Sequence, residues 1–299
     1  MEELKLRTMN ESIEQKWIKT GVVITPIEDV IPESNIIVFS PHFDDVLFML
    51  GGYINELKNA GLRAAKKFDV KILFSRSNYL ARTGEGNSDR SLDRIKLATG
   101  KRLLEDQNCL DELLGAFNYS YELIGESECF ARGKILKDGE MEFPHGMYEH
   151  FDDNDREIFA RMKGRIKRLS TLEDTALVFP AAFKEHIDHF IVREAAVAAA
   201  SETTGLAKAT FYFQEDKPYG GIATPEELQR IHDFVQQHDL AIRTFEFDPE
   251  YMISCAFKHY VSQVEDVYKI GIRNRAKLLQ GFLVTERPCD QIYVVPKKQ

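Results

Sequence analysis

The chain has 299 residues, 43% of them hydrophobic and 29% charged, with a formal net charge of −9. These are the proportions of an ordinary globular protein, long enough for one large domain or two small ones. The acidic balance argues against a general nucleic-acid binder, which needs a basic face to displace counterions, and no run of about 18 apolar residues marks a membrane span.

In chain order, residues 1–34 read as a polar extension, with an edge strand at 21–25. The first turns of this extension are charged and lack an apolar stretch, so no secretory signal is visible. The cysteines, Cys109, Cys129, Cys255 and Cys289, are widely spaced and form no CxxC pair. A cysteine zinc site is therefore not expected, and buried thiols in a reducing cytoplasm are.

Residues 36–39 form a β-branched and aromatic run that predicts a buried strand, ended by Ser40-Pro41 because proline cannot donate to a sheet ladder. A helix is expected over 46–57, with Gly51-Gly52 allowing close packing on a neighbouring strand. A strand follows at 70–74, then a polar loop at 75–89. A helix is predicted over 91–114, with Ile95, Leu97, Leu103, Leu104 and Leu110 as core candidates. From 119 to 155 periodicity fails and glycines punctuate the chain, which reads as an excursion inserted over the site. The basic helix expected at 155–169 presents a solvated face. Strands at 176–179, 209–213, 241–247 and 291–295 alternate with helices at 186–201, 225–238, 250–265 and 269–280. That alternation predicts an α/β fold in residues 35–299, with a mainly parallel sheet covered on both faces.

Chemistry concentrates just beyond two of these strands. His42, Asp44 and Asp45 follow the first, at the carboxyl end where open α/β sheets bind their ligands. His186, Asp188 and His189 follow the strand that stops at Pro180, and residues three apart share one helix face. Two imidazoles and a carboxylate with an open fourth position are the usual form of a catalytic zinc site; His42, Asp45 and His189 make such a set. Asp44 is then left as general base. The competing reading makes Asp44-Asp45 a helix cap, with His42 satisfied locally. His186, one turn before His189, would as imidazolium stabilise an oxyanion or protonate a leaving amine. Asp188 either holds the tautomer of His186 or raises its pKa, or else is a first-turn acid that favours the helix dipole. Weaker candidates are His145 and His150 as a lid, Arg76, Arg82 and Arg102 as grips on hydroxyls or an anion, and Lys184 near a substrate anion.

Ser40-Pro-His-Phe-Asp-Asp45 with Gly51-Gly52, and His186-Ile-Asp-His189 after a Phe-Pro, resemble the motifs of the PIG-L/LmbE family of zinc-dependent N-deacetylases. Smaller echoes are Arg102-Leu-Leu-Glu-Asp106, Phe211-Tyr-Phe-Gln-Glu-Asp-Lys-Pro-Tyr219 and Lys258-His-Tyr-Val-Ser-Gln263. The resemblance spans about residues 36 to 263. It implies a Rossmann-like fold, zinc, and hydrolysis of an N-acetyl group from a small sugar or sugar conjugate. By motif position it makes His42, Asp45 and His189 the ligands, Asp44 the base and His186 the acid or oxyanion stabiliser. Phe43 and Val46 depart from the commoner Pro and Glu, and Phe183-Lys184 replaces a tyrosine found in some members. An amidase for another small N-acyl conjugate, or a zinc-binding protein without turnover, are the alternatives. A two-metal phosphoesterase lacks the extra ligands it would need.

Overall fold

The computed structural model describes residues 23–81, 88–134 and 151–296. Its centre is a seven-stranded sheet. The strands are β1 (Asn35–Ser40), β2 (Lys67–Ile72), β3 (Tyr119–Leu123), β4 (Thr175–Pro180), β5 (Thr210–Gln214), β6 (Ala241–Glu246) and β7 (Cys289–Val294), in the order β3-β2-β1-β4-β5-β7-β6. Neighbours from β3 through β5 pair in parallel, and β7 runs antiparallel to both β5 and β6. The expected mainly parallel α/β architecture is the observed one.

Successive strand residues point to opposite faces, and here both faces are apolar. Ile36 and Val38 of β1 belong to one core, Ile37 and Phe39 to the other. The first core is closed by α2 (Asp45–Asn59), α7 (Pro249–His259) and α8 (Asp266–Leu283); the second by α4 (Asp153–Leu169), α5 (Ile187–Glu202) and α6 (Pro225–Gln237). This double burial explains why the strands read as continuous apolar runs and not as alternation. Gly52 of α2 lets the ring of Phe247, just beyond β6, approach so closely that a Cβ there would lie 2.5 Å from it. The short α1 (Ile27–Val30) and its neighbour Ile31 are docked, with Val30 and Ile31 fully buried and Thr25 N–H donating to the Thr244 carbonyl. The extension is thus paired to the body from Ile24, which bridges Thr244.

Several expectations need correction. The helix α3 (Leu92–Leu110) exposes Leu97 and Leu104, both 61% accessible. Its buried face carries Leu110, as expected, with Ala98 and Cys109, and beside them the polar side chains of Arg102, Glu105 and Asp106. An apolar-periodicity argument missed the polar part because its partners lie far along the chain: Arg102 meets Asp44 and Glu128, Glu105 meets Ser262, and Asp106 accepts from Tyr121 and Tyr260. The region 119–155 begins not as an excursion but as the edge strand β3, whose half-exposed Tyr-Ser-Tyr-Glu pattern hid it. The helix expected at 250–265 stops at His259; Ser262 then turns inward to donate to Glu105, and Gln263 Nε2 donates to Ser262 Oγ. The basic face of α4 is solvated as expected, with Lys163 and Lys167 both paired to Glu202. Arg82, His145 and His150 lie outside the described residues.

The chain leaves β1 to continue through α2 to β2 on one side, and later returns through β4 on the other. The direction of strand order therefore reverses between β1 and β4. Their carboxyl ends open a crevice at this switch point, the place where such sheets bind ligands.

Candidate active site

Both motifs discharge into this crevice. Ser40 Oγ donates to the His42 carbonyl at 2.7 Å, and the end of β2 braces the turn through Phe74 N–H to the Pro41 carbonyl. His42 N–H donates to Asp45 Oδ2 at 2.7 Å. Asp44 occupies the N-cap position of α2, but its carboxylate makes no capping bond. It faces the Arg102 guanidinium at 3.4 Å. The cap alternative is therefore not what Asp44 does.

On the other side, His186 is the N-cap of α5, its Nδ1 accepting from Asp188 N–H at 3.1 Å. That bond assigns the ring proton to Nε2, the nitrogen 3.9 Å from Cys129 Sγ. Asp188 thus reaches His186 through its backbone. Its carboxylate goes elsewhere: Oδ2 accepts from His42 Nε2 at 3.0 Å and from Cys129 N–H at 2.9 Å, and Oδ1 pairs with Arg132 Nη1 at 2.7 Å.

Three polar atoms converge at the centre. His189 Nε2 lies 3.2 Å from His42 Nδ1 and 3.3 Å from Asp45 Oδ2, and the latter is 3.4 Å from His42 Nδ1. Tetrahedral ligands with zinc bonds of 2.0–2.1 Å are separated by about 3.3 Å, so this triangle fits a metal. The outer ring nitrogens are each held by a carboxylate, His42 Nε2 by Asp188 and His189 Nδ1 by Asp216 at 3.2 Å. That arrangement turns the inner lone pairs toward one point. His186 also lies close enough for its ring to join His42 and His189 in a three-imidazole group.

The electrostatics point the same way. Burial opposes a charge on His42, but Asp188 and Asp45 outweigh it and raise the imidazole from 6.5 to about 9. Burial likewise opposes charge on His189, and Asp45 and Asp216 drive its pKa up. A buried acidic surround that pulls protons onto both rings is one that favours a cation. His186 responds differently. Burial first, then the charge of His42, holds its pKa well below the usual value, so it is neutral. Burial raises the carboxyl of Asp44 above 3.8, against the opposing pull of Arg102.

The cleft around these groups is lined further by Tyr79, Phe130, Tyr219, Gln263 and Tyr268. Tyr79 and Phe130 stack at 5.4 Å. The segment after β3 is tied across the site: Glu128 pairs with Arg102 Nη1 at 2.8 Å and accepts from Ser77 Oγ at 2.7 Å, and Arg132 bridges Asp188 and Asp155. Arg102 is thereby clamped between two acids, while Arg76 is exposed and Lys184 sits in the turn before His186. Val46 and Phe43 are buried in the core. Asp216, Glu128, Cys129 and Arg132 were not singled out from sequence. Asp216 carried one usable signal: it is an acid just beyond the apolar strand β5, the same placement that marked Asp44 and Asp45.

No family model matches the chain, and no curated protein sequence matches it. Solved structures do. The A40926 pseudoaglycone deacetylase aligns with a TM-score of 0.58 at 18% identity, over 89% of this chain and 99% of that one. A deacetylase of teicoplanin biosynthesis in complex with teicoplanin gives 0.56 at 17% identity, again over 89% and 99%. A zinc-inhibited form of teicoplanin deacetylase gives 0.55 at 17% identity with the same coverage. At such identity the likeness is one of fold. Among the described residues, no helix is long and apolar enough to cross a membrane. The four cysteines are all buried free thiols.

Proposed function

We propose that this chain is a zinc-dependent hydrolase of the PIG-L/LmbE type, removing an N-acetyl group from an amino sugar or sugar conjugate. The observation that carries the proposal is the triangle of His42 Nδ1, Asp45 Oδ2 and His189 Nε2, with Asp44 beside it and outside it. The motif resemblance and the deacetylase activities named for the fold neighbours support the choice of bond and substrate class.

His42, Asp45 and His189 would hold the metal. A zinc ion held there would supply Lewis-acid polarisation of an acyl oxygen and a water of pKa about 7. Asp44 takes the proton of the attacking water and passes it to the departing amine. Its burial suits this role, because a carboxylate with a raised pKa is a stronger base. Arg102 keeps it ionised and aimed, and is itself fixed by Glu128. His186 acts as a neutral donor. Its Nδ1 accepts the Asp188 N–H, so the ring donor that would meet the acyl oxygen as negative charge builds there is the Nε2–H, which faces Cys129 Sγ at 3.9 Å. Tyr79, Phe130, Tyr219 and Tyr268 supply the flat apolar walls a sugar ring requires. The products are acetate and a free amine.

Elemental analysis joined to acetate release from a panel of N-acetylated amino sugars tests the reading. About one zinc per chain with chelator-sensitive acetate release is expected. Zinc without release from any sugar, but with cleavage of another N-acyl amide, would move the activity to an amidase. No metal bound when zinc is offered would overturn the site.

A further inference from the structure

Asp216 lies 27 residues beyond His189 and belongs to neither motif. It is 1% exposed, in the segment that follows β5. Its two oxygens have different tasks. Oδ1 is 3.2 Å from His189 Nδ1, and Oδ2 accepts the Phe183 N–H at 3.0 Å. We propose that Asp216 is the positioning residue of the second motif, one carboxylate fixing both the His189 ring and the turn that delivers His186. The proposal rests on the metal reading above.

The turn needs such a fixture. Between β4 and α5, Ala182, Lys184 and Glu185 have φ of 59°, 60° and 52°. A residue with a Cβ adopts left-handed backbone only at a steric cost, so three such residues in four persist only where their surroundings over-determine them. Phe183 is the intervening residue, and both its ends are anchored. Its N–H is bonded to Asp216, and its ring, 1% exposed, lies under the Arg275 guanidinium at 5.8 Å. The turn sets where α5 begins, and so where His186 stands as its N-cap.

Asp216 is in turn held by its own neighbours in sequence. Glu215 is gripped by Arg275, with Nε–Oε2 at 2.8 Å and a second contact from Nη2, and accepts from Tyr293 OH at 2.7 Å. Lys217 pairs with Asp290 Oδ2 at 2.7 Å. Arg275 comes from α8, which meets the same segment so closely that a Cβ on Gly221 would lie 1.8 Å from the Gly271 carbonyl oxygen. A carboxylate accepting from Nδ1–H fixes the tautomer of His189 and directs its Nε2 lone pair inward. Asp188 does the same for His42 on the opposite side.

Asp216→Asn tests the assignment in the full-length protein. The amide keeps the size of the side chain, but one of its two heavy atoms is a donor. That donor must face either the Phe183 N–H or the His189 Nδ1–H. Zinc affinity, measured by competition with a chromophoric chelator, should fall about 10–100-fold. Asp216→Glu keeps the charge and displaces it, and should weaken binding to a lesser degree. In the unsubstituted zinc-loaded protein, ring-nitrogen NMR should find His189 protonated at Nδ1. Unchanged zinc affinity in folded Asp216→Asn would overturn the proposal and leave the metal reading standing. Failure of the unsubstituted protein to bind zinc would overturn both. If neither variant folds, a His189 ring unprotonated at Nδ1 overturns the proposal by itself.

Discussion

The two turns that build the site differ in what holds them. The first passes from β1 to α2 without a left-handed residue and is braced by backbone and near-neighbour bonds: Ser40 to the His42 carbonyl, His42 N–H to Asp45, Phe74 N–H to the Pro41 carbonyl. The second contains Ala182, Lys184 and Glu185 in left-handed conformation and leans on remote side chains. Asp216 holds Phe183, Arg193 donates to the Ala181 carbonyl, and Arg230 pairs with Glu185. One turn is specified locally, the other by the rest of the fold. They are also strapped across each other, because the ring of the first motif is held by Asp188 of the second.

The largest expected effect tests the division of labour inside the first turn. Asp44→Asn should lower the hydrolytic rate constant about 10²–10⁴-fold, the usual contribution of a general base, while zinc content stays near that of the unsubstituted protein. Full activity would remove Asp44 from the mechanism. Loss of zinc along with activity would place it among the ligands and dissolve its distinction from Asp45.

Next comes the cross-strap. Asp188→Asn should weaken zinc binding about 10–100-fold, the penalty common for an outer partner of a ligating histidine. The effect would run through His42 although Asp188 lies between His186 and His189 in sequence. The bond from Asp188 N–H to His186 Nδ1 is a backbone bond and survives the substitution. A chelator competition that finds unchanged affinity would reduce Asp188 to a partner of Arg132.

How legible each turn was in the sequence follows from the same contrast. The strand ends, the histidines and the first-motif aspartates could be read because apolar runs, prolines and acids sit side by side. The sheet and most of its helices followed from periodicity. What escaped was whatever depends on distant residues. Asp188 was read as serving its sequence neighbour His186, and its carboxylate turns instead to His42 and Arg132. Asp216 and Glu128 act on partners far along the chain, on His189 and on Arg102. The face of α3 that carries Arg102, Glu105 and Asp106 tolerates burial because each side chain meets a partner from a remote segment, where a periodicity argument looks for leucines. The three short echoes did converge: Arg102 reaches Asp44, Glu105 holds Ser262, and Tyr219 and Gln263 line the cleft.

The smallest expected effect asks whether the strain of the second turn matters. Lys184 has φ 60° and ψ 6° and is followed by the left-handed Glu185, with Ala182 also left-handed two residues before it. Glycine adopts this conformation without a Cβ penalty, but it also enlarges the unfolded ensemble, which offsets part of the gain. Lys184→Gly should therefore stabilise the protein by about 0.5–1 kcal/mol, a rise of a few degrees or less in Tm. Zinc affinity should not change, because the His189 ring is held by Asp216 and not by the turn. Catalysis should fall modestly as His186 gains freedom. Thermal unfolding read beside zinc competition separates these effects. Stabilisation without loss of activity would mean that Asp216 and the buried ring of Phe183 suffice to place His186, and that the left-handed run is a by-product of joining β4 to α5. No stabilisation would mean that the lysine side chain already offsets the strain of its backbone, and that the two turns differ less in energy than in geometry.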